Sequence, residues 1–416
     1  MVRQAKIVTG RLAQALRTAD WLRRPRLLGY AAILGAFELA LLLVWVFSAH
    51  DNLDLTGKPM GTDFISFWST SSLALSGTPA LAYLPEAHAA VQAAQVGGAA
   101  IGYFGFFYPP VFLLVCLPLA LLPYGVALTT WLIATGVPYL FAIHRLLPRL
   151  GAVEFAACLT FPAILLNAGH GQNGFLSAAL FGLGFVLLDR RPWLAGALLG
   201  CLVFKPQLAV ILPFALAFSG RWPSFWAAAV SAALLTAASW ALFGSETWAA
   251  FISGLLLAQQ TLSDGFVDPG KMVSIFAAAR LLHAPPLVAL GLQVAAAAVM
   301  IVMLARVSRA TTGPMLGALS VLATLLATPF ALDYDLTLLA IPLAVAFRSG
   351  YGKQFLPYEK LVLLLGFALP LAARPLAVGL GIPVAPLVVL ALLCLLVARL
   401  ASARSAGSLV SQQMAQ

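Results

Sequence analysis

Charge is scarce in this chain. Of its 416 residues only 9% are Asp, Glu, Lys or Arg, while 62% are hydrophobic. An ordinary soluble domain carries about 25% charged and about 45–50% apolar residues. A soluble globule of this length is therefore excluded, because there is too little polar surface to cover it. A disordered chain is excluded for the opposite reason, since disorder needs low hydrophobicity and high charge. The apolar stretches are near-continuous, whereas a membrane β-barrel alternates apolar and polar residues. Cysteine is sparse too: Cys116, Cys158, Cys201 and Cys394 each lie in an apolar run, and no CxxC pair exists. They read as small hydrophobes, not as a disulfide framework or zinc site. GxxxxGK[ST], HExxH, EF-hand loops and a strand-borne GxGxxG are all missing. What remains is an all-α polytopic membrane protein.

The net charge is +10, from 24 Lys and Arg against 14 Asp and Glu. The positive-inside bias of membrane proteins accounts for it, and no nucleic-acid partner is expected. Residues 1–26 carry Arg3, Lys6, Arg11, Arg17, Arg23, Arg24 and Arg26 against Asp20, which places this segment in the cytoplasm. The apolar run that follows, about 27–47, has no small-residue cleavage site and reads as a retained span. Later basic groups fall at Arg145/Arg149, Arg190/Arg191, Arg221, Arg306/Arg309, Arg348/Lys353/Lys360 and Arg399/Arg404. Placing all of them inside gives twelve expected spans: 27–47, 124–146, 152–168, 173–188, 193–204, 206–219, 224–243, 286–306, 313–329, 334–348, 359–379 and 384–403. Both termini are then cytoplasmic, with 405–416 as a tail and 27–404 as a single membrane domain. The external acids become Asp51, Asp54, Asp63, Glu86, Glu246, Asp264, Asp268, Asp333 and Asp335.

Two external intervals stand out, 48–123 and 244–285. The proline-rich stretch 108–122 reads as an interfacial or re-entrant piece, because about 15 residues fall short of the roughly 20 a span needs; the alternative is a thirteenth crossing. Thr62 is expected as an N-cap, with Asp63 in the first turn of a helix ending at Gly77. Phe64, Trp68 and Leu75 on one stripe suggest an interfacial helix, as does the stretch 248–262. The helix dipole would keep Asp63 ionised. Spans 193–204 and 206–219 are short and look like a hairpin with Lys205-Pro206 at its tip. A lysine held partway into a membrane is a functional candidate, unless it snorkels to the headgroups.

The turn Asn167-Ala168-Gly169-His170-Gly171-Gln172-Asn173-Gly174 crowds hydrogen-bonding side chains among glycines. It suits a sugar or phosphate, or it is simply a turn. Lys271 and Arg280 are external cations that could meet an anionic head group. Asp333 or Asp335, flanking Tyr334, could cap a helix. No acidic cluster demands a divalent metal, though Asp63 with Asp333 or Asp335 would offer a site if the fold joined them. Glu38 sits alone in mid-span.

Taken in order, several pieces resemble glycosyltransferase family 87, the DUF2029 family. They are Asp63-Phe64 opening a helix that ends in Gly77, with Tyr83 soon after; Tyr108-Pro109-Pro110 with Pro118 and Leu122-Pro123; Gly171-Gln172-Asn173; Leu194-Ala195-Gly196 leading to Lys205-Pro206; and Pro329-Phe330 with Tyr334-Asp335. The resemblance spans roughly 27–348. It implies a C-type glycosyltransferase fold and a polyprenyl-phosphate-linked sugar donor, often mannose. It also implies inverting transfer on the outer face of the inner membrane, to a lipid or glycan acceptor. The family's early carboxylate matches Asp63. Relatives bear histidine after the proline near 329, where this chain has Asp333-Tyr334-Asp335.

On that reading Asp63 is the base for an acceptor hydroxyl, which is a poor nucleophile at neutral pH. Lys205 is the first choice to meet the departing phosphate, with Lys271, Arg280 and His170 behind it. Gln172, Asn173, Tyr334 and Asp335 complete the expected donor site. The reading from another class is a lipid or solute transporter. It would need paired ionisable groups in the spans and an internal repeat, and neither is evident.

Overall fold

In lipid, a backbone must satisfy its own amides, so continuous apolar runs fold as helices. The computed structural model describes residues 13–263, 269–351 and 354–414. Asp264, Asp268, Lys353, Arg3, Lys6 and Arg11 lie outside the described residues. Among those described there is no β-strand, only isolated bridges.

Among the described residues six helices are long and apolar enough to cross a membrane. They are α1 (Arg24–Phe47), α5 (Tyr124–Leu146), the Trp222–Leu255 part of α11 (Trp222–Ser263), α13 (Pro286–Val307), α16 (Glu359–Leu380) and the Val384–Ala403 part of α17 (Val384–Met414). A bent pair, α6 (Ala152–Cys158) and α7 (Ala163–His170), meets at 55° and makes a possible seventh. The expected count of twelve is not reached. Segments 173–188, 193–204, 206–219 and 313–329 do form apolar helices, but short ones. At 1.5 Å per residue, α8 (Gly174–Leu187) rises only about 21 Å against a core of about 30 Å. The expected span 334–348 begins instead as a 3-10 turn over Asp333–Leu339 before α15 (Ala340–Gly350). The last helix runs on to Met414 through the segment read as a tail.

Polar pairings separate two ends. At one, Arg24 binds Glu154, Arg399 binds Glu359, and Lys360 Nζ lies 3.4 Å from Asp20 Oδ1. Arg348 Nη1 reaches the Leu146 carbonyl, at the last residue of α5. At the other end of α5, the Tyr124 hydroxyl donates to the Met60 carbonyl at 2.7 Å. The 23 residues between make about 34 Å. The arginine-rich end and the end carrying the first loop are thus a membrane thickness apart.

The hairpin at Lys205 starts and returns at the arginine-rich end. Arg221 Nη2 lies 2.5 Å from Asp189 Oδ1, and Ser224 Oγ donates to the Pro192 carbonyl. Its outgoing arm, α9 (Pro192–Gly200), packs so closely on α11 that a Cβ at Gly196 or Gly200 would strike the Ser224 or Ala228 carbonyl. This is the small-residue packing that membrane helices use. Pro206 stops the arm, and Lys205 takes non-helical dihedrals (φ −135°, ψ 69°). It does not snorkel: its side chain is 2% exposed.

The first-loop helix corrects an expectation. α2 (Phe64–Leu75) is packed inside the protein along most of its length. Phe64, Ile65, Phe67 and Leu73 are buried, and so are Ser66, Ser69, Thr70 and Ser71. Phe67 sits among Phe106, Tyr108, Phe112 and Trp131, with ring centroids 5.0–6.5 Å away. Stretch 108–122 forms the six-residue helix α4 (Val111–Cys116) and a turn, packed on α2. Ser71 Oγ donates to the Leu117 carbonyl and Trp68 Nε1 to that of Leu122. Beneath α2, His88 is held by Thr70, the Ser66 carbonyl and Gln92. Burial pushes its pKa down to about 4, so it is a neutral clamp. Stretch 248–262 continues α11 beyond a kink at Gly244 (φ 78°), and Phe251 packs on Tyr83 at 5.7 Å.

Candidate active site

Two loops meet at the end away from the arginines. Gly61 and Gly171 both take left-handed dihedrals (φ +68° and +62°). A Cβ on Gly171 would lie 2.5 Å from Phe64 Cβ and 3.4 Å from Gly61 Cα. Only glycine permits that approach and that φ. Two bonds then lock the loops: Asp63 N donates to the His170 carbonyl at 2.9 Å, and Trp131 Nε1 donates to that of Gly171 at 3.0 Å.

Asp63, not Thr62, occupies the N-cap of α2, and its side chain makes no cap bond. Freed from capping, it turns to the other loop. Gln172 Nε2 donates to Asp63 Oδ2 at 3.1 Å, and His170 Nδ1 lies 4.0 Å from the same oxygen. Thr62 Oγ1 instead pairs with His170 Nδ1 at 2.7 Å. On its other side, Gln172 Oε1 accepts from the Tyr108 hydroxyl at 3.1 Å and from Asn173 N at 2.8 Å. One amide therefore fixes both the carboxylate and the tyrosine.

The Asp63 side chain keeps 29% of its surface exposed. It nevertheless sits deep enough that burial dominates and pushes its carboxyl above the ordinary carboxylate range, against the pull of His170 and Gln172. The nearby charge of Asp333 adds to the push. The downward pull expected of the helix dipole does not prevail, because loss of water raises this carboxyl.

Lys205 is brought to the cluster but is already paired. Its Nζ lies 2.5 Å from Asp335 Oδ1 and 3.1 Å from Asn173 Oδ1, and 5.0 Å from the centre of the Tyr334 ring. Asp335 Oδ2 also accepts from Leu332 N at 3.1 Å, the capping role foreseen for it. Asp333, 5% exposed, pairs with Arg374 Nη1 at 3.4 Å, and Arg374 keeps 38% of its side chain exposed. Lys271 is exposed and begins the stretch that pairs with Ala331–Leu332 through Val273 N and the Met272–Leu332 bridge. Arg280 is tied to its own helix end, donating to the Ala284 carbonyl at 2.8 Å.

The sequence reading thus brought together Asp63, His170, Gln172, Asn173, Lys205, Tyr334 and Asp335. It missed the roles of Thr62, Tyr108 and Asp333, and Arg374 altogether. Arg374 left one signal: an arginine six residues before the end of α16 opposite the basic cluster breaks the charge bias. Among the described residues no group of three or more His, Cys, Asp and Glu side chains gathers as a metal site would.

The fold and this cluster define a polytopic membrane protein with a reachable carboxylate set among fixed hydrogen-bond donors and a buried ion pair. The model of glycosyltransferase family 87 matches residues 106–329, more than half of the chain, and the chain belongs to that family. It is therefore a glycosyltransferase, with a sugar donor and an acceptor, and the transporter reading falls away. The matched region includes Tyr108, His170, Gln172, Asn173, Lys205, Lys271 and Arg280, and leaves Asp63, Asp333, Asp335 and Arg374 outside it. No curated protein and no solved structure gives a significant match.

Proposed function

We propose that this protein is an inverting glycosyltransferase of the C-type fold. It moves a hexose, mannose by family resemblance, from a polyprenyl-phosphate donor to a hydroxyl of a lipid or glycan. The reaction lies on the external face of the inner membrane, with 27–404 as the transferase domain and both termini cytoplasmic. The observation that carries the reading is Asp63: one partly exposed carboxylate, raised in basicity by burial and oriented by Gln172.

The chemistry needs little more. Sugar linked to phosphate has a good leaving group, so no strong acid is required. Asp63 takes the proton of the acceptor hydroxyl as its oxygen bonds to the anomeric carbon. The bond from that carbon to the phosphate oxygen breaks on the opposite face, through oxocarbenium character. Polyprenyl phosphate departs with the electron pair, and a nearby cation stabilises its growing charge. Arg374 and Lys271 are the exposed candidates, with His170 behind them. Lys205, saturated by Asp335 and Asn173, holds Asn173 and Tyr334 in place. A prenyl tail stays in the bilayer while its phosphate meets the cluster at headgroup level.

Transfer from radiolabelled polyprenyl-phosphate mannose, with lipid extract as acceptor, tests the reading. Asp63→Asn should fold normally and lose about 10²–10⁴-fold in rate, the usual share of a general base. Full activity in that variant would overturn the assignment.

A further inference from the structure

A cavity lies at the arginine-rich end, away from Asp63, and has no part in the transfer chemistry. It measures about 640 Å³ and opens between α1 and a wall made by α5, α6, α15 and α16. Leu27, Ala31 and Leu34 line one side, and Ile143, Phe367 and Leu371 the other, with Arg24 and Lys360 at the polar mouth.

Its dimensions are those of one leaflet. From Arg24 to Leu34 the helix rises about 15 Å, half of a bilayer core of roughly 30 Å. At roughly 30 Å³ per water-sized group, the volume takes about twenty carbon-sized groups, or one acyl chain. The wall itself asks for a filler. α1 has no buried residue along its 24 residues. Its ties to the body include the Arg24–Glu154 pair at its foot and the approach of Gly35 to Thr160. An empty slot behind it would leave that lining without contacts on one side. Of the charged residues that line it, Arg24 and Lys360 outnumber Glu154, and Arg17, Arg23 and Arg26 flank Arg24 in the sequence.

We propose that this slot holds one acyl chain of an anionic phospholipid, with the headgroup at Arg24 and Lys360. The occupant is a lipid of the surrounding membrane and not the sugar donor, whose phosphate belongs a membrane thickness away beside Asp63. It acts as a wedge that seats α1 against the bundle.

Native mass spectrometry of the full chain in neutral detergent tests this, with phosphatidylglycerol and phosphatidylcholine of identical acyl chains added separately. One phosphatidylglycerol should be retained per protein, with a preference of roughly tenfold or more, as two basic groups at a membrane surface supply. Ala31→Trp fills the slot from α1 and Ala368→Trp fills it from α16, so misfolding of one leaves the other to report. Each should abolish retention while its thermal melt shows a folded protein. Arg24→Gln with Lys360→Gln should erase the headgroup preference. Equal retention of the two lipids overturns the proposal, as does retention in a folded Trp variant. Displacement by polyprenyl phosphate at equal concentration overturns it too and makes the slot a donor site. The readout is bound mass, so its failure leaves the transfer reading untouched.

Discussion

Lys205 Nζ lies 2.5 Å from Asp335 Oδ1, with neither side chain more than 2% exposed. A lysine in that state meets no phosphate; it neutralises a carboxylate that burial would otherwise make costly. Removing one partner of such a pair strands the other charge and costs about 3–5 kcal/mol. Lys205→Met should therefore lower the melting temperature in detergent sharply. Lys205→Met with Asp335→Asn should recover most of the loss, because the asparagine oxygen can still accept from Leu332 N. A stable single variant that differs only in donor KM would instead make Lys205 a donor ligand.

Asp63 sets an expectation for pH. Burial raises its carboxyl above the ordinary value, and the base works only when ionised. Activity should hence fall as pH drops through that raised value, with an acid limb of kcat/KM above the usual aspartate range. His170 pulls the Asp63 carboxyl down, so His170→Gln should move the acid limb to higher pH. A limb that stays put on His170→Gln, measured by pH–rate profile, would separate the two groups.

Gly171→Ala should be damaging out of proportion to one methyl. The φ of +62° costs a non-glycine residue about 1–3 kcal/mol. The new Cβ would also meet Phe64 Cβ at 2.5 Å and Leu128 Cδ1 at 3.0 Å. Relief of that clash pulls the His170–Gln172 turn off Asp63, so transfer should fall along with stability. Gly169→Ala is the control, since nothing lies within 4 Å of its Cβ. It should melt within about 1 kcal/mol of the parent. Equal damage from both would refute the loop-contact argument.

What the sequence revealed depended on range. The long apolar runs 27–47, 124–146, 286–306, 359–379 and 384–403 were legible because composition alone decides them, and each is a helix of spanning length. The break at Lys205-Pro206 was legible because proline acts locally. Pairings across the chain were not. Lys205 and Asp335 are 130 residues apart, and no local pattern says that one answers the other. The stripe on α2 misled for a related reason: Ser66, Ser69, Thr70 and Ser71 look like a wet face but are buried, with Ser71 bonded to the chain at Leu117 and Ala120 and Thr70 to His88. Twelve spans were expected because charge marks the side on which a loop falls and says nothing of helix length, and 173–188, 193–204, 206–219 and 313–329 form short helices.

Arg374 is where that blindness matters most, and it gives the last expectation. Its guanidinium reaches Asp333 at 3.4 Å while 38% of the side chain stays exposed. It therefore has donors left for an incoming group, unlike Lys205. Asp333 lies close enough to Asp63 to shift its carboxyl, which puts Arg374 one residue removed from the proposed base. A charge-assisted bond to the donor phosphate is worth about 1.5–3 kcal/mol. Arg374→Gln should then raise donor KM roughly tenfold to a hundredfold, and Arg374→Lys should restore part of it by keeping the charge. Lys271→Gln, on an exposed and flexible side chain, should cost less. If Arg374→Gln left donor KM unchanged and only the melting temperature fell, Arg374 would be a structural partner of Asp333 and the phosphate would have to be met by Lys271 or His170.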